Sequence, residues 1–378
     1  MKISNGHLTS SNTYYISVLN NIKNNFQKNN FIKFEQFFNE IVNEQDAQQV
    51  QKKYLSELKN LYEKGNLVLV IGAGLSVAQG IPDWATLLQT LYSKVLASEV
   101  DENLLDIISI LLPKIADKSP IASARYINKD LLENKSSIEK EVRRIMYSNV
   151  SDTNSKLLDS IVNLCVAPGK APQIDSVITY NFDDLLENAF DKLQPIKFRY
   201  KSIYATGHNP ASNEFPVYHV HGYLPRNGHI TDDNKITLSE NIYHNQYSDI
   251  YSWNNLIQLN KFKDKNCLFI GISLSDPNLR RLLDISKIQS GNLTNHFIFR
   301  KKISVDDIKK HDIIKNLSDD IKDKKSKRSI SLDKLAEVIT HLLNKIEDED
   351  AKSFNVTTIW VNDFSEYPKL ISELNKSL

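Results

Sequence analysis

Four short segments of the chain join an apolar run to a turn of small or polar residues, and each turn carries groups able to do chemistry. "VLVIGAGLS" ends in Gly72-Ala73-Gly74 and Ser76, where glycine lets backbone amides approach a diphosphate at the start of a helix. "SVITYNFDD" delivers Asn181 and Phe182, then Asp183 and Asp184, either of which also suits a helix N-cap. "VYHVHGY" offers His219 and His221, two apart and so expected on one face of a strand. Without a third ligand the two histidines make a weak metal site, whereas a histidine followed by Gly222 suits a general base near neutral pH. "CLFIGISLSDPN" brings Gly271, Ser273, Ser275 and Asp276 to a fourth turn, with Asp276 placed to cap a helix opening at Pro277.

The glycine turn departs from the dehydrogenase fingerprint. Val77 stands at the position of the third glycine, Gly80 comes three residues later, and "TLYSKVL" supplies no acid to hold an adenosine ribose. A reusable hydride cofactor is therefore disfavoured, although nucleotide binding is not. The phosphate loop of the common ATPases is absent too, since no Gly-Lys-Ser/Thr closes this turn.

Positioning four such turns together requires a sheet. "NLVLVIG", "IDSVITY", "VYHVHGY", "NCLFIGI", "NHFIFR" and "VTTIWV" are short, apolar and rich in Val, Ile and aromatics, as parallel strands covered on both faces should be. Their alternation with helical segments predicts an α/β fold with a doubly wound, Rossmann-like parallel sheet over residues 65–378. Two additions are expected. Residues 1–64, with helical spacing in "YYISVLNNIKNNF" and "FIKFEQFFNEIVNE", form an N-terminal helical extension, and residues 85–165 form a helical insertion beside the sheet. A charged connection spans about 301–350, with a basic cluster in "DDIKDKKSKRSISLDK".

Composition narrows the class. The 378 residues are 41% hydrophobic and 25% charged, with 47 basic against 46 acidic side chains, so the formal charge of +1 gives no overall case for nucleic acid or an anionic membrane. Cys165 and Cys267 lie in apolar contexts and read as small buried hydrophobes. No signal peptide is evident and no apolar run approaches the ~20 residues of a membrane helix, which makes the cytoplasm the expected compartment.

Taken in order, Gly72 to Ser76, Gly80-Ile81-Pro82-Asp83-Trp84, Thr179 to Asp183, His221-Gly222 and Gly271 to Ser273 resemble the sirtuin family. They are closer to the prokaryotic SIR2-like domains of antiphage defence, as are "ITLSENIYHNQY" and "GISLSDPNLRRLL". The resemblance implies a sirtuin-like fold, with Asn181 and His221 catalytic. It implies an NAD site built from Gly72, Ala73, Gly74, Ser76, Pro82, Asp83, Trp84, Phe182, Asp183, Gly271, Ser273 and Asp276. Ile272 stands where many sirtuins carry threonine.

Deacylating sirtuins carry a four-cysteine zinc module, which two separated cysteines cannot build. No zinc is expected, and water becomes the acceptor. The resemblance then implies an NAD+ glycohydrolase that releases nicotinamide and ADP-ribose and acts in defence by NAD depletion, with NAD+ as substrate and no recycled cofactor. It also implies a homo-oligomer and a complex with a HerA-like hexameric ATPase. Direct DNA binding and membrane association are not expected. The rival readings are a non-hydrolysing NAD or ADP-ribose sensor and a DNA-associated subunit of a defence complex.

Overall fold

The structure is a computed structural model that describes residues 33–39, 47–96, 127, 137–151, 153–168, 173–193, 197–238, 248–291, 293–311, 322–323, 328–329 and 331–375. Most of the expected N-terminal extension, the middle of the 85–165 stretch, most of "ITLSENIYHNQY" and half of the 319–334 basic cluster lie outside the described residues.

Seven strands form one sheet in the order β3-β4-β2-β1-β5-β6-β9, every pairing parallel. They are β1 (Leu67–Ile71), β2 (Ile174–Thr179), β3 (Tyr200–Ile203), β4 (Phe215–His219), β5 (Asn266–Ile270), β6 (His296–Lys301) and β9 (Val356–Val361). Two-residue strands β7 (Lys322–Asp323) and β8 (Arg328–Ser329) form a separate antiparallel pair. Among the described residues the helices that accompany the sheet are α1 (Ala47–Glu63), α2 (Ala73–Val77), α3 (Trp84–Leu96), α4 (Ile138–Met146), α5 (Lys156–Val166), α6 (Leu185–Asp191), α7 (Trp253–Asp264), α8 (Pro277–Ser290), α9 (Val305–Lys309), α10 (Leu332–Ser353) and α11 (Tyr367–Asn375). The fold is the Rossmann-like α/β architecture expected from the sequence.

Alternation along the strands makes two cores, one on each face. Leu67, Leu69 and Ile71 of β1 face the larger core with Leu268, Ile270, Phe297, Phe299, Ile359 and Val361. Side chains of α1, α3, α4, α5, α6 and α11 cover that face, among them Tyr62, Leu91, Val142, Ile161, Phe190 and Ile371. Val68 and Val70 face the other way with Ile178, Cys267, Phe269 and Ile298, against Phe262 of α7, Leu279, Leu282 and Leu283 of α8, and Ala351 of α10. Cys165 and Cys267 are free, wholly buried thiols, with burial pushing both pKa values up.

The described part of the N-terminal region is built into this architecture. Tyr62 of α1 donates its hydroxyl to Leu164 O at 3.3 Å, and Gln51 Nε2 donates to Trp360 O at 2.6 Å. Serine caps start the helices that flank the sheet: Ser137 Oγ accepts from Lys140 N, Ser155 Oγ from Leu158 N and Ser331 Oγ from Lys334 N.

Connections from β1 lead outward on one side to β2, β4 and β3, and the chain then returns to lay β5 against the other side of β1. The strand order reverses there, and such a switch point opens a crevice beyond the strand ends. Register brings those ends level, because Ile71 stands opposite both Thr179 and Ile270, and Thr179 opposite His219.

The buried strand centre should be the most sensitive part of the fold. Phe269→Ala is expected to lower the unfolding free energy by about 3–5 kcal/mol through transfer and cavity terms. Ile288→Ala, at a side chain 82% exposed, should change it by less than about 0.5 kcal/mol. Urea unfolding of both variants checks this, and equal losses would contradict the assignment of the core.

Candidate active site

Backbone hydrogen bonds extend the ladder one residue past the strands, with Gly72 N on Ile270 O, Tyr180 N on Ile71 O and Val220 N on Thr179 O at 3.0–3.1 Å. The four chemistry-bearing turns therefore leave the sheet side by side. The first and fourth pack backbone on backbone: Gly74 N donates to Gly271 O at 2.7 Å, and a Cβ at Gly74 would lie 2.7 Å from Gly271 Cα. A Cβ at Gly72 would fall 2.6 Å from Ile272 Cβ. The close approach of the two turns thus demands both glycines within the protein itself.

Asn181 ties the second turn to the first. Its Nδ2 donates to Gly72 O at 3.0 Å and to Ser76 Oγ at 2.7 Å, and the Ser76 hydroxyl passes its own hydrogen to Asp183 Oδ2 at 2.5 Å. Asn181 N rests on Thr179 Oγ1 at 3.1 Å. With both Nδ2 hydrogens engaged, Oδ1 of this half-buried side chain has no protein partner among the described residues. That oxygen is the atom the fold offers to a hydroxyl or a water.

Asp183 is buried, and its Oδ1 accepts from Leu185 N at 3.2 Å. Burial pushes its pKa up to about 6, opposed by the Ser76 hydrogen bond. Asp184, also raised by burial, occupies the N-cap position of α6 without capping it. Instead its Oδ1 accepts from the Tyr147 hydroxyl at 2.9 Å and its Oδ2 from Arg226 N at 2.7 Å. The second turn is thereby bound to α4 and to the turn after β4, where Leu224 N donates to Phe182 O at 2.6 Å. The Phe182 ring itself packs into the larger core.

The two histidines do not share a strand face. β4 ends at His219, and the chain turns at once, with Gly222 N bonded to His219 O at 3.2 Å. Gly222 has φ +105°, and a Cβ there would meet Lys235 O at 2.2 Å, so only glycine follows His221 in this turn. His219 is directed to Glu187 of α6, its Nε2 lying 2.7 Å from Oε1. His221 instead stands edge-on to the Tyr180 ring, with centroids 4.6 Å apart. Burial lowers the His221 pKa while the charge of Asp276 opposes the shift, which keeps the imidazole neutral and able to accept a proton.

Asp276 Oδ1 accepts from Leu279 N at 2.8 Å, capping α8 as expected, with Pro277 in its first turn. Ser273 and Ser275 are exposed on the same turn, their hydroxyls 2.7 Å apart. Pro82, Asp83 and Trp84 belong to another element, the entry to α3. There Asp83 Oδ1 accepts from Thr86 N at 2.9 Å and Trp84 packs on the larger core. Buried Gln79 fastens that entry to the chain before α5, accepting from Ser155 N at 2.7 Å and donating to Ser151 O at 3.2 Å. Among the described residues no group of three or more His, Cys, Asp or Glu is arranged to hold a metal ion.

Sequence reasoning missed Tyr147, Glu187 and Gln258. Glu187 left a faint signal, four residues after Asp183 and within a helix whose neighbours Leu186, Ala189 and Phe190 are all buried. Tyr147 and Gln258, which accepts from the Tyr180 hydroxyl, left none, because their partners lie far away in sequence.

The sequence profile of the SIR2-like domain matches residues 175–321, a span that includes Asn181, His221 and Gly271. The NAD(+) hydrolase ThsA of Enterococcus faecium is 24% identical over 330 residues, covering 86% of this chain. The chain spans 58% of the length of that relative.

The raised Asp183 pKa has a consequence for stability. Between pH 4 and 6 the folded state keeps a proton that the unfolded chain releases near its ordinary value, so this group's contribution is full at low pH and is lost as pH rises through about 6. Asp183→Asn removes that loss. The melting temperature of the variant relative to wild type should therefore rise from pH 4 to pH 7, and a difference independent of pH would contradict the assignment.

Proposed function

We propose that the chain is an NAD+ glycohydrolase that breaks the bond between nicotinamide and ribose, giving nicotinamide and ADP-ribose, and that it acts in antiphage defence by NAD depletion. The observations that carry this reading are Asn181 bonded to the glycine turn at Gly72 and Ser76, and a buried, neutral His221 set against the ring of the neighbouring Tyr180, both at the strand ends of the switch point. The relative named an NAD(+) hydrolase supports the same chemistry.

Water is the acceptor in the balanced reaction: NAD+ and water give nicotinamide, ADP-ribose and a proton. The pyridinium is already a cationic leaving group, so no strong acid is needed and positive charge develops on the ribose as the bond opens. Catalysis then rests on alignment and on a base. Asn181 Oδ1 holds the nicotinamide ribose and the water, while His221 takes the proton released as the new C–O bond forms. The Gly72 to Ser76 turn takes the diphosphate, Gly271, Ser273 and Asp276 take the adenosine side, and Pro82 to Trp84 with Asp183 border the nicotinamide. NAD+ is a substrate here and no zinc takes part.

Defence by NAD depletion requires restraint in the uninfected cell. A homo-oligomer and a complex with a HerA-like hexameric ATPase are the proposed assemblies, in the cytoplasm. Among the described residues no helix is long and apolar enough to cross a membrane.

Asn181→Ala and His221→Ala are each expected to abolish NAD loss, by about 100-fold or more for removal of the base, while leaving the fold intact. The wild-type kcat/KM should show an acid limb below the ordinary histidine range, because burial lowers the His221 pKa. Rates by NAD consumption, with circular dichroism as the folding control, check both points. A folded double variant that still consumed NAD would sink the assignment, and a wild type that binds NAD without loss would favour the sensor.

A further inference from the structure

Directly behind Asn181 lies a polar pair that the proposed chemistry does not use. Glu187 is 4% and His219 1% exposed, and the two side chains meet each other. His219 Nε2 lies 2.7 Å from Glu187 Oε1, and the Ser202 hydroxyl donates to that same oxygen at 2.8 Å. On the other side of the ring, Nδ1 lies 3.3 Å from the backbone carbonyl oxygen of Asn181. The Tyr223 ring covers the imidazole with centroids 4.2 Å apart.

The hydrogen count follows from the partners. A carbonyl oxygen only accepts, so Nδ1 must carry a hydrogen for that bond to exist. Glu187 Oε1 already accepts from the Ser202 hydroxyl, as an ionised carboxylate oxygen does, and toward such an oxygen Nε2 carries a hydrogen as well. Two ring hydrogens make an imidazolium, whose charge Glu187 balances within the pair. The surroundings favour this arrangement: Asp183 and Asp184 from the turn before α6 act on the same cluster, and the phenols of Tyr200 and Tyr223 bring no positive charge of their own. An isolated carboxylate at Glu187 would be a costly buried charge.

We propose that Glu187 and His219 form a buried carboxylate–imidazolium pair that positions Asn181 for the reaction by donating the Nδ1 hydrogen to its backbone carbonyl. The catalytic consequence rests on the hydrolase reading above; the protonation does not. Asn181 is then held at both ends, its side chain by Gly72 and Ser76 and its backbone by His219. Among the described residues Glu187 Oε2 has no hydrogen-bond partner, and Glu187 lines a small cavity with Thr179, Asn181 and Asp183. A same-sized replacement at Glu187 therefore has room to be accommodated.

Nitrogen NMR of the intact protein labelled at histidine tests the pair, with His219 assigned through its contact with the Tyr223 ring. The expected result at pH 7 is two protonated ring nitrogens in the wild type and one in Glu187→Gln. Misplacing Asn181 should lower kcat for NAD in Glu187→Gln by about 10- to 100-fold, with KM changed by less than about threefold. Ser202→Ala, a milder change at the same oxygen, should lower kcat in the same sense and by less. A neutral His219 in the wild-type spectrum overturns the proposal without any variant having to fold. A folded Glu187→Gln with wild-type kcat overturns it as well. If the wild type turns over no NAD, the hydrolase reading fails while the spectrum still decides the pair.

Discussion

One amide nitrogen joins the two halves of the site. Asn181 Nδ2 has two hydrogens, and the fold places one on Gly72 O and the other on Ser76 Oγ, so the turn after β2 is bonded to the turn after β1. Both partners are available only because the first turn is itself fixed, with Gly72 N on Ile270 O and Gly74 pressed against Gly271. Side chains at 72 or 74 would separate the two loops by their own bulk, and the amide of Asn181 would lose its partners. The geometry of the crevice thus descends from a steric constraint at two glycines on neighbouring central strands.

Around that bond the protein buries an uncommon density of ionisable groups. Asp183 and Asp184 of the β2 to α6 connection, Glu187 of α6 and His219 at the end of β4 are each less than 9% exposed. Such groups are tolerated where each charge meets a hydrogen-bond donor or an opposite charge. Ser76, Leu185 N, Tyr147, Arg226 N and Ser202 supply the donors, drawn from five separate parts of the chain. His221 is kept apart from this cluster by the turn at Gly222 and lies instead against Tyr180, under the influence of Asp276. One histidine is thus paired with a carboxylate and the other left neutral, although they stand two residues apart.

Much of this architecture could be read from the chain, for identifiable reasons. β1 and β5 are wholly buried apolar runs, and such runs followed by Gly72 and by Gly271 announce central parallel strands entering ligand-facing turns. The edge strand β3 escaped because Tyr200 to Ile203 buries only its last residue fully and mixes polar with apolar side chains, so that no run stands out. The strand carrying the histidines was drawn too long. Alternation continues through Val220 and His221 in the sequence, while the positive φ that ends it at Gly222 is imposed by Lys235 and Ile236, far along the chain. Asp276 was legible as a cap because capping is local. Glu187 and Tyr147 were not, because what defines them is the partner brought by the fold.

The central claim is that the crevice breaks NAD with water rather than merely holding it. Chromatographic resolution of the products formed from NAD by the purified protein, alone and with a candidate ATPase partner, tests that claim most directly. Nicotinamide and ADP-ribose in equal amounts, matching the NAD lost, is the expected result. Bound but intact NAD under both conditions, or nicotinamide released without its equivalent of ADP-ribose, would contradict it.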